Sequence, residues 1–313
     1  MLLNEMLNIK YPIIQGAMAN IATAEFAAAV SNAGGLGIIG TGAWDTNTAR
    51  EAIRKCKSLT DKPFGVNVMM MNPQTKEIME MIAEEHVAVV TTGAGNPGMY
   101  MEMLKNSGAK VIPVVPSVAL AIRMERSGAD AVIAEGGEAG GHVGEQTTMA
   151  LVPQVCDALN IPVIAAGGIA DGRGLNAALS LGAVGVQVGT CLLVSEECPI
   201  HENYKNAVIK AKDTDTVVTG RSQNAPVRIM KNKMSRSYLK LESEAANREE
   251  LEKLTLGGLR RAVFEGDITD GSVMMGQIAG MCKEIKPLSE ILANMVNESK
   301  NELVKLTGKI EAL

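Results

Sequence analysis

The 313-residue sequence is poor in aromatic side chains and has no surplus of positive charge. Phe, Trp and Tyr make up 3% of the residues, which argues against base-stacking platforms for single-stranded nucleic acid. The formal net charge is −5, so a general polyanion-binding surface is not expected either. We therefore expect no nucleic-acid partner.

The five cysteines are scattered, with no Cys-x-x-Cys pair and no zinc-ligand spacing. This pattern predicts reduced thiols in a cytoplasmic protein and no metal centre. The first residues lack the basic and apolar regions of a signal peptide. Residues Ala177–Ser195 carry no charge, but Gly182, Gly185 and Gly189 interrupt them. They favour a helix end, a turn and a strand, so we expect no membrane segment.

Short apolar runs recur at intervals of 20 to 32 residues, and helical patterns fill the spaces between them. The eight runs are Tyr11–Gly16, Leu36–Thr41, Phe64–Met70, Val87–Gly93, Lys110–Ser117, Asp130–Gly136, Pro162–Gly167 and Val184–Thr190. Continuous apolar runs are typical of parallel strands that are covered on both faces. Eight similar strand–helix units predict an α/β fold, a (β/α)8 TIM barrel; a doubly wound open sheet is the alternative.

The repeating pattern ends after residue 198. Residues 199–271 are more polar and include a helical stretch at Leu241–Leu254, whereas apolar, glycine-rich sequence returns at 272. A last amphipathic helix follows Pro287, with Leu303 and Leu306 on its apolar side. We expect residues 1–198 and 272–313 to form the barrel and residues 199–271 to form a smaller lid or substrate subdomain.

Glycine is concentrated at the carboxyl ends of the predicted strands, where the chemistry of such barrels takes place. Gly167 and Gly168 follow strand seven and precede a helix, and Gly189 and Thr190 follow strand eight. Free N–H groups at a helix start favour an anion, and these two loops often hold a phosphate. A phosphorylated ligand or cofactor is expected here, with a structural turn as the alternative.

The loop after strand six, residues 135–144, combines five glycines with Glu135, Glu138 and His142. Histidine gains and loses a proton near neutral pH, and flanking glycines would let it approach a substrate. His142 is therefore the candidate catalytic residue, unless it is only an exposed loop side chain.

Two other patterns have competing interpretations. Residues Gly35–Gly40 match the dinucleotide-binding fingerprint in letters but precede a strand, so their context rejects that fingerprint. Residues 221–240 contain six basic side chains and no acidic one. They form either a docking surface for an acidic or phosphate-bearing partner or a solvated face of the lid.

Six ordered motifs resemble the flavin-dependent family that contains nitronate monooxygenases and enoyl-acyl-carrier-protein reductase II. They are Tyr11–Met18, Gly65–Asn67, Glu138–His142, Ala166–Asp171, Val186–Thr190 and Gly276–Gly280. The resemblance covers essentially the whole chain. It is stronger to the reductase, through Val89–Pro97, Val111–Ser117 and Gly271–Gly280.

The resemblance implies FMN as the cofactor and a set of residues that hold it. Gly167, Gly168, Gly189 and Thr190 would bind the phosphate. The residues expected along the rest of the cofactor are Gly16, Ala17, Met18, Asn67, Glu135, Gly140, Gln187, Met275 and Gln277. Ala17 replaces the glycine that is common at the ring side.

The resemblance also implies reduction of trans-2-enoyl chains on acyl carrier protein, with NADH or NADPH as co-substrate. Some family members are stimulated by a monovalent cation, and a homodimer is the usual assembly. Oxidation of alkyl nitronates by FMN and O2 is the main alternative. A flavin-free phosphate-binding lyase or isomerase and a non-catalytic binding barrel are the others.

Overall fold

The computed structural model describes residues 1–312, and its main feature is a ring of eight parallel strands. The barrel strands are β1 (Ile13–Gln15), β2 (Gly37–Gly40), β3 (Phe64–Met69), β4 (Val89–Gly93), β5 (Lys110–Val115), β6 (Val132–Glu135), β8 (Val163–Ala166) and β9 (Val186–Val188). Each lies within one of the eight predicted apolar runs. The predicted (β/α)8 barrel is confirmed.

The ring closes between β1 and β2 through few backbone contacts. Ile14 forms an isolated parallel bridge with Leu36. Beyond it, the side-chain amide of Gln15 donates a hydrogen bond to the Ile38 carbonyl at 3.1 Å and accepts one from the Ile38 amide at 3.4 Å. Gln15 is fully buried. Its side chain therefore replaces the backbone hydrogen bonds that a longer β1 would make with β2.

The helices surround the barrel or belong to the lid, and several of them begin at side-chain caps. The helices are α1 (Leu3–Leu7), α2 (Ala24–Ala33), α3 (Thr46–Leu59), α4 (Thr75–Glu84), α5 (Met101–Asn106), α6 (Val118–Arg126), α7 (Thr148–Ala158), α8 (Gly172–Ser180), α9 (Thr190–Leu193), α10 (Glu202–Lys210), α11 (Lys233–Ser243), α12 (Arg248–Thr255), α13 (Gly258–Arg260) and α14 (Leu288–Ile310). Thr23, Asp45 and Ser117 each accept a hydrogen bond from an amide in the first turn of α2, α3 and α6 respectively.

The interior of the barrel is packed at its amino-terminal end. Its buried residues include Ile14, Leu36, Ile38, Val89, Ile112, Ile133 and Ile164. Leu3 and Leu7 of α1 belong to the same apolar cluster, so α1 closes this end. The carboxyl ends of the strands are the end that remains available for a ligand.

The lid is built on a small antiparallel sheet in the order β10–β11–β7. It pairs β10 (Thr216–Thr219) with β11 (Val227–Met230), and β11 with β7 (Gly141–His142). Because β7 lies in the loop after β6, the sheet joins the lid to the barrel. The lid has its own apolar core, made of Ile229, Met234, Tyr238 and Leu251. The division of the chain at residues 198 and 272 stays a prediction.

Two helix predictions need correction. A single helix over Leu241–Leu254 is wrong, because α11 ends at Ser243 and Asn247 caps a new helix, α12. The last helix packs only along its first half: Leu303 and Leu306, which were expected on its apolar side, are exposed. Among residues 1–312 there is no helix with the length and apolar character needed to cross a membrane.

Candidate active site

A cavity of about 1010 Å³ opens at the carboxyl ends of the barrel strands and extends beneath the lid. Twelve of the fourteen predicted site residues line it: Gly16, Ala17, Met18, Asn67, Glu135, Gly140, His142, Gly167, Gly168, Gln187, Gly189 and Thr190. Met275 is buried behind this wall, and Gln277 lines a smaller neighbouring cavity instead. The sequence therefore predicted a set of residues that the fold brings together, while the role of each stays a prediction.

The glycines of the loop after β6 serve close packing more than mobility. A Cβ atom at Gly136 would lie 2.1 Å from the Thr148 hydroxyl, and one at Gly140 would lie 2.7 Å from the Met275 carbonyl carbon. The Glu138 carboxylate accepts hydrogen bonds from the backbone amide and the hydroxyl of Thr148, each at 2.9 Å. The loop is thus fixed to neighbouring segments, contrary to the expectation that its glycines make His142 mobile.

The expected anion cradle differs from the prediction in one respect. The first amides of α8 are already occupied, because Asp171 accepts from Arg173 and Gly174 and Glu298 accepts from Gly172. The start of this helix is therefore not free for a phosphate.

The loops on either side of the cavity retain unused amides. The N–H groups of Gly167, Gly168, Ile169 and Gly189 have no acceptor among residues 1–312, and all four residues line the cavity. Gly167 and Gly168 have φ angles of +91° and +73°, a conformation that glycine adopts without strain. Paired loops of free amides are suited to a phosphate oxygen.

Polar side chains line the cavity next to this cradle. Asn67 donates a hydrogen bond to the Thr91 hydroxyl at 2.9 Å. Gln187 is buried, and neither its amide nor the Glu135 carboxyl has a side-chain hydrogen-bond partner in the described part of the chain. Both side chains line the cavity, so their unpaired polar atoms are accessible to a polar ligand. Amides for a phosphate and unpaired polar groups beside them fit FMN.

The imidazole of His142 is exposed at the cavity, although its backbone is fixed. The backbone of His142 pairs with that of Val227 in the lid sheet. The backbone amide of Val143 donates a hydrogen bond to the Pro226 carbonyl oxygen at 3.1 Å. A side chain that both donates and accepts protons therefore faces the space where a ligand would lie.

The family model described as nitronate monooxygenase matches residues 1–298. The chain belongs to the nitronate monooxygenase family. Its structure is similar to that of FabK from Thermotoga maritima, with a TM-score of 0.95 and 49% identity over 98% of both chains. A probable nitronate monooxygenase from Staphylococcus saprophyticus is 34% identical over 96% of this chain and 97% of its own length.

Another relative has a different named activity. The (3aS,4S,5R,7aS)-5-hydroxy-7a-methyl-1-oxo-octahydro-1H-indene-4-carboxyl-CoA dehydrogenase of Mycobacterium tuberculosis is 30% identical over 99% of this chain and 98% of its own. The nitronate monooxygenase family is flavin-dependent, and the protein is an oxidoreductase of this family.

No residue of the lid was predicted from the sequence to line this cavity. Ile229, Tyr238, Leu251 and Leu259 are the apolar side chains that the lid adds above the floor formed at the strand ends, and polar residues such as Gln223 and Glu252 lie among them. Ile229 belongs to β11 and the other three belong to helices. In the sequence all four have the pattern of ordinary core residues, so no signal marks them as part of a cavity wall.

Glu135 makes the stability of the protein dependent on pH. Burial raises the pKa of its carboxyl from 4.5 to about 7. The folded protein therefore holds this proton more tightly than the unfolded chain, and the free energy of unfolding should decrease as the pH rises from 4.5 towards 7. Urea unfolding of the ligand-free protein at pH 5 and pH 8 measures this decrease. In Glu135→Gln, which cannot titrate, we expect the decrease to be smaller by up to about 3 kcal/mol. An equal decrease in both proteins would contradict the assignment.

Proposed function

We propose that the protein is an FMN-dependent enoyl-acyl-carrier-protein reductase that uses NADH or NADPH. The observation that carries this proposal is the 49% identity to FabK, an enoyl-acyl-carrier-protein reductase II, over 98% of both chains. The named dehydrogenase of a carboxyl-CoA substrate adds a second relative that acts on a thioester. The cavity supports the proposal because its wall combines polar groups at the strand ends with apolar side chains from the lid.

The residues that would hold FMN follow from the geometry of the floor. The free amides of Gly167, Gly168 and Gly189 would bind its phosphate, and Gln187 and Glu135 would meet its polar edges. When bound, FMN supplies hydride transfer from NAD(P)H to the β-carbon of an enoyl thioester. The protein orients the reactants and keeps the reacting carbon atoms away from bulk water.

His142 would provide the proton at the α-carbon as hydride arrives at the β-carbon. Its side chain is exposed to the cavity while its backbone is paired with β11, so it can reach a substrate without a rearrangement of the loop. Ile229, Tyr238 and Leu251 would contact the acyl chain, because they are apolar side chains that the lid contributes to the cavity wall.

An acyl carrier protein as the partner is part of this proposal. The basic segment at residues 221–240 presents less positive charge at the surface than its sequence indicates. Arg221 pairs with Glu145, Lys233 pairs with Asp270, and Arg228 is turned inward. Lys231, Arg236 and Lys240 are exposed and have no ion-pair partner in residues 1–312. These three would attract an acidic carrier. A homodimer and a bound monovalent cation remain proposals from the family resemblance.

A nitronate monooxygenase is the second candidate function. The family model and the staphylococcal relative favour it. In that case His142 would remove the α-proton of a nitroalkane or bind a nitronate, and O2 would reoxidise the flavin.

Anaerobic half-reactions separate the two functions. We expect NADH or NADPH to bleach the flavin band of the FMN-loaded protein, and crotonyl thioester to restore it. NADH and NADPH are added separately to determine which is used. An alkyl nitronate serves as the comparison reductant. Bleaching by the nitronate alone would replace the reductase with the monooxygenase.

A further inference from the structure

Two separated attachments of the loop that carries His142 to the lid come from β11. One is the backbone ladder, in which Val227 pairs with His142 and Arg228 pairs with Gly141. The other is the Arg228 side chain, which reaches back along the loop to Gly137. A single residue of the lid therefore contacts the loop on both sides of Glu138.

The Arg228 guanidinium makes three hydrogen bonds in this position. Its Nε and Nη2 atoms donate to the Gly137 carbonyl oxygen at 3.0 and 2.8 Å, and Nη1 donates to the Thr216 hydroxyl of β10 at 3.1 Å. Two donors of a planar group on one oxygen fix the direction of the carbonyl more closely than a single ammonium donor could. The side chain thus joins β10, β11 and the start of the loop.

The contact between Arg228 and Gly137 lies at a partly buried position between the lid and the loop after β6. The side chain is partly buried, and burial lowers the pKa of its guanidinium while the nearby Glu138 opposes that change. Glu138 itself is occupied by the amide and hydroxyl of Thr148. Arg228 therefore has its hydrogen bonds with a backbone carbonyl and a hydroxyl, and not with a carboxylate at the protein surface.

We infer that Arg228 is a positioning residue for His142: its hydrogen bonds to the Gly137 carbonyl and the adjacent β7–β11 ladder hold the imidazole over the cavity. The lid and the loop after β6 then move as one unit, and His142 keeps this position only while β11 is paired with β7. The kinetic consequence of this inference rests on the proposed reductase function, whereas the placement of His142 does not.

Histidine NMR tests the placement without any substrate. The chain has three histidines, His86, His142 and His201, so selective 13C labelling of the Cε1 positions gives three signals in the FMN-loaded enzyme. A His142→Ala variant identifies the signal of interest. At constant pH, Arg228→Met should shift or split the His142 signal and leave those of His86 and His201 in place. Arg126→Met, an exposed arginine on α6, is the matched control and should move none of them.

Arg228→Lys covers the case in which the methionine variant does not fold, because it keeps the charge but loses the paired donors. It should also move the His142 signal alone, by a smaller amount. An unmoved His142 signal in the folded variants overturns the inference. So does a displacement of all three signals, since that result assigns Arg228 a general role in folding.

Kinetics supply the second measurement. Misplacing His142 should lower the rate of flavin reoxidation by crotonyl thioester about 10- to 100-fold in Arg228→Met, with flavin reduction by NAD(P)H unchanged and partial recovery in Arg228→Lys. A wild-type enzyme that does not reduce crotonyl thioester would refute the proposed function, and a moved His142 signal would then still support the positioning role. Normal wild-type turnover with an unmoved signal would refute the positioning role alone.

Discussion

Alanine at position 37 is expected to destabilise the barrel by about 3 kcal/mol or more, the upper end of what overpacking usually costs. Gly37 lies in β2 where α2 crosses it, and a Cβ atom there would lie 1.8 Å from the Ala27 carbonyl oxygen and 2.5 Å from its carbon. Both atoms are backbone, so no side chain can rotate away. The helix would have to move off the strand, and interiors this closely packed do not accommodate such a shift without loss of contacts.

Gly40 provides a matched control in the same strand. A Cβ atom at Gly40 would have its nearest neighbour, the Cβ of Ala22, at 3.4 Å, which is an ordinary contact. Urea unfolding of Gly37→Ala and Gly40→Ala should therefore give a large loss of free energy for the first and a small one for the second. Equal stabilities for the two variants would show that the α2–β2 contact is looser than described.

Replacement of His142 by alanine is the second change with a large expected effect. If His142 supplies the proton at the α-carbon, its removal should lower the rate of enoyl reduction about 10²- to 10⁴-fold, as is typical for a general acid. Flavin reduction by NAD(P)H should persist, because that hydride transfer needs no proton from His142. Single-turnover reoxidation of the reduced enzyme by crotonyl thioester measures the affected step directly.

His86→Asn is the appropriate control for this variant. His86 is exposed and lies outside the cavity lining, and its φ angle of +49° is one that asparagine tolerates. It should reoxidise at the wild-type rate. A His142→Ala enzyme that is as fast as this control would leave His142 without a role in proton transfer.

The barrel could be predicted because its strands are buried on both faces and therefore appear as continuous apolar runs. The floor of the cavity could be predicted for a related reason. Its residues lie at or near the carboxyl ends of those runs, and the carboxyl ends of parallel strands meet on one side of a barrel. Asn67 and Gly189 are examples: each is close to the end of its strand, so the strand assignment alone brings them together.

The remaining features depend on contacts between distant parts of the chain. The start of α8 appeared free for an anion, but Glu298 of α14 reaches it from 126 positions away. The loop glycines suggested mobility, whereas the backbone of Met275 packs against Gly140 and leaves no room for a side chain there. The two-residue strand β7 is too short to be detected as an apolar run, and it exists only because β11 pairs with it.

The attachment of His142 to β11 also has a consequence for synthesis on the ribosome. Gly137 and Arg228 are separated by 91 positions, so at typical translation speeds roughly 5 to 20 s pass between their appearances. In the later part of that interval, once β9 has been made at Val188, the nascent chain contains every barrel strand, yet the loop after β6 still lacks the partner that orders it. Acquisition of catalytic competence is therefore expected to lag behind formation of the barrel, and to be set by the emergence of the lid.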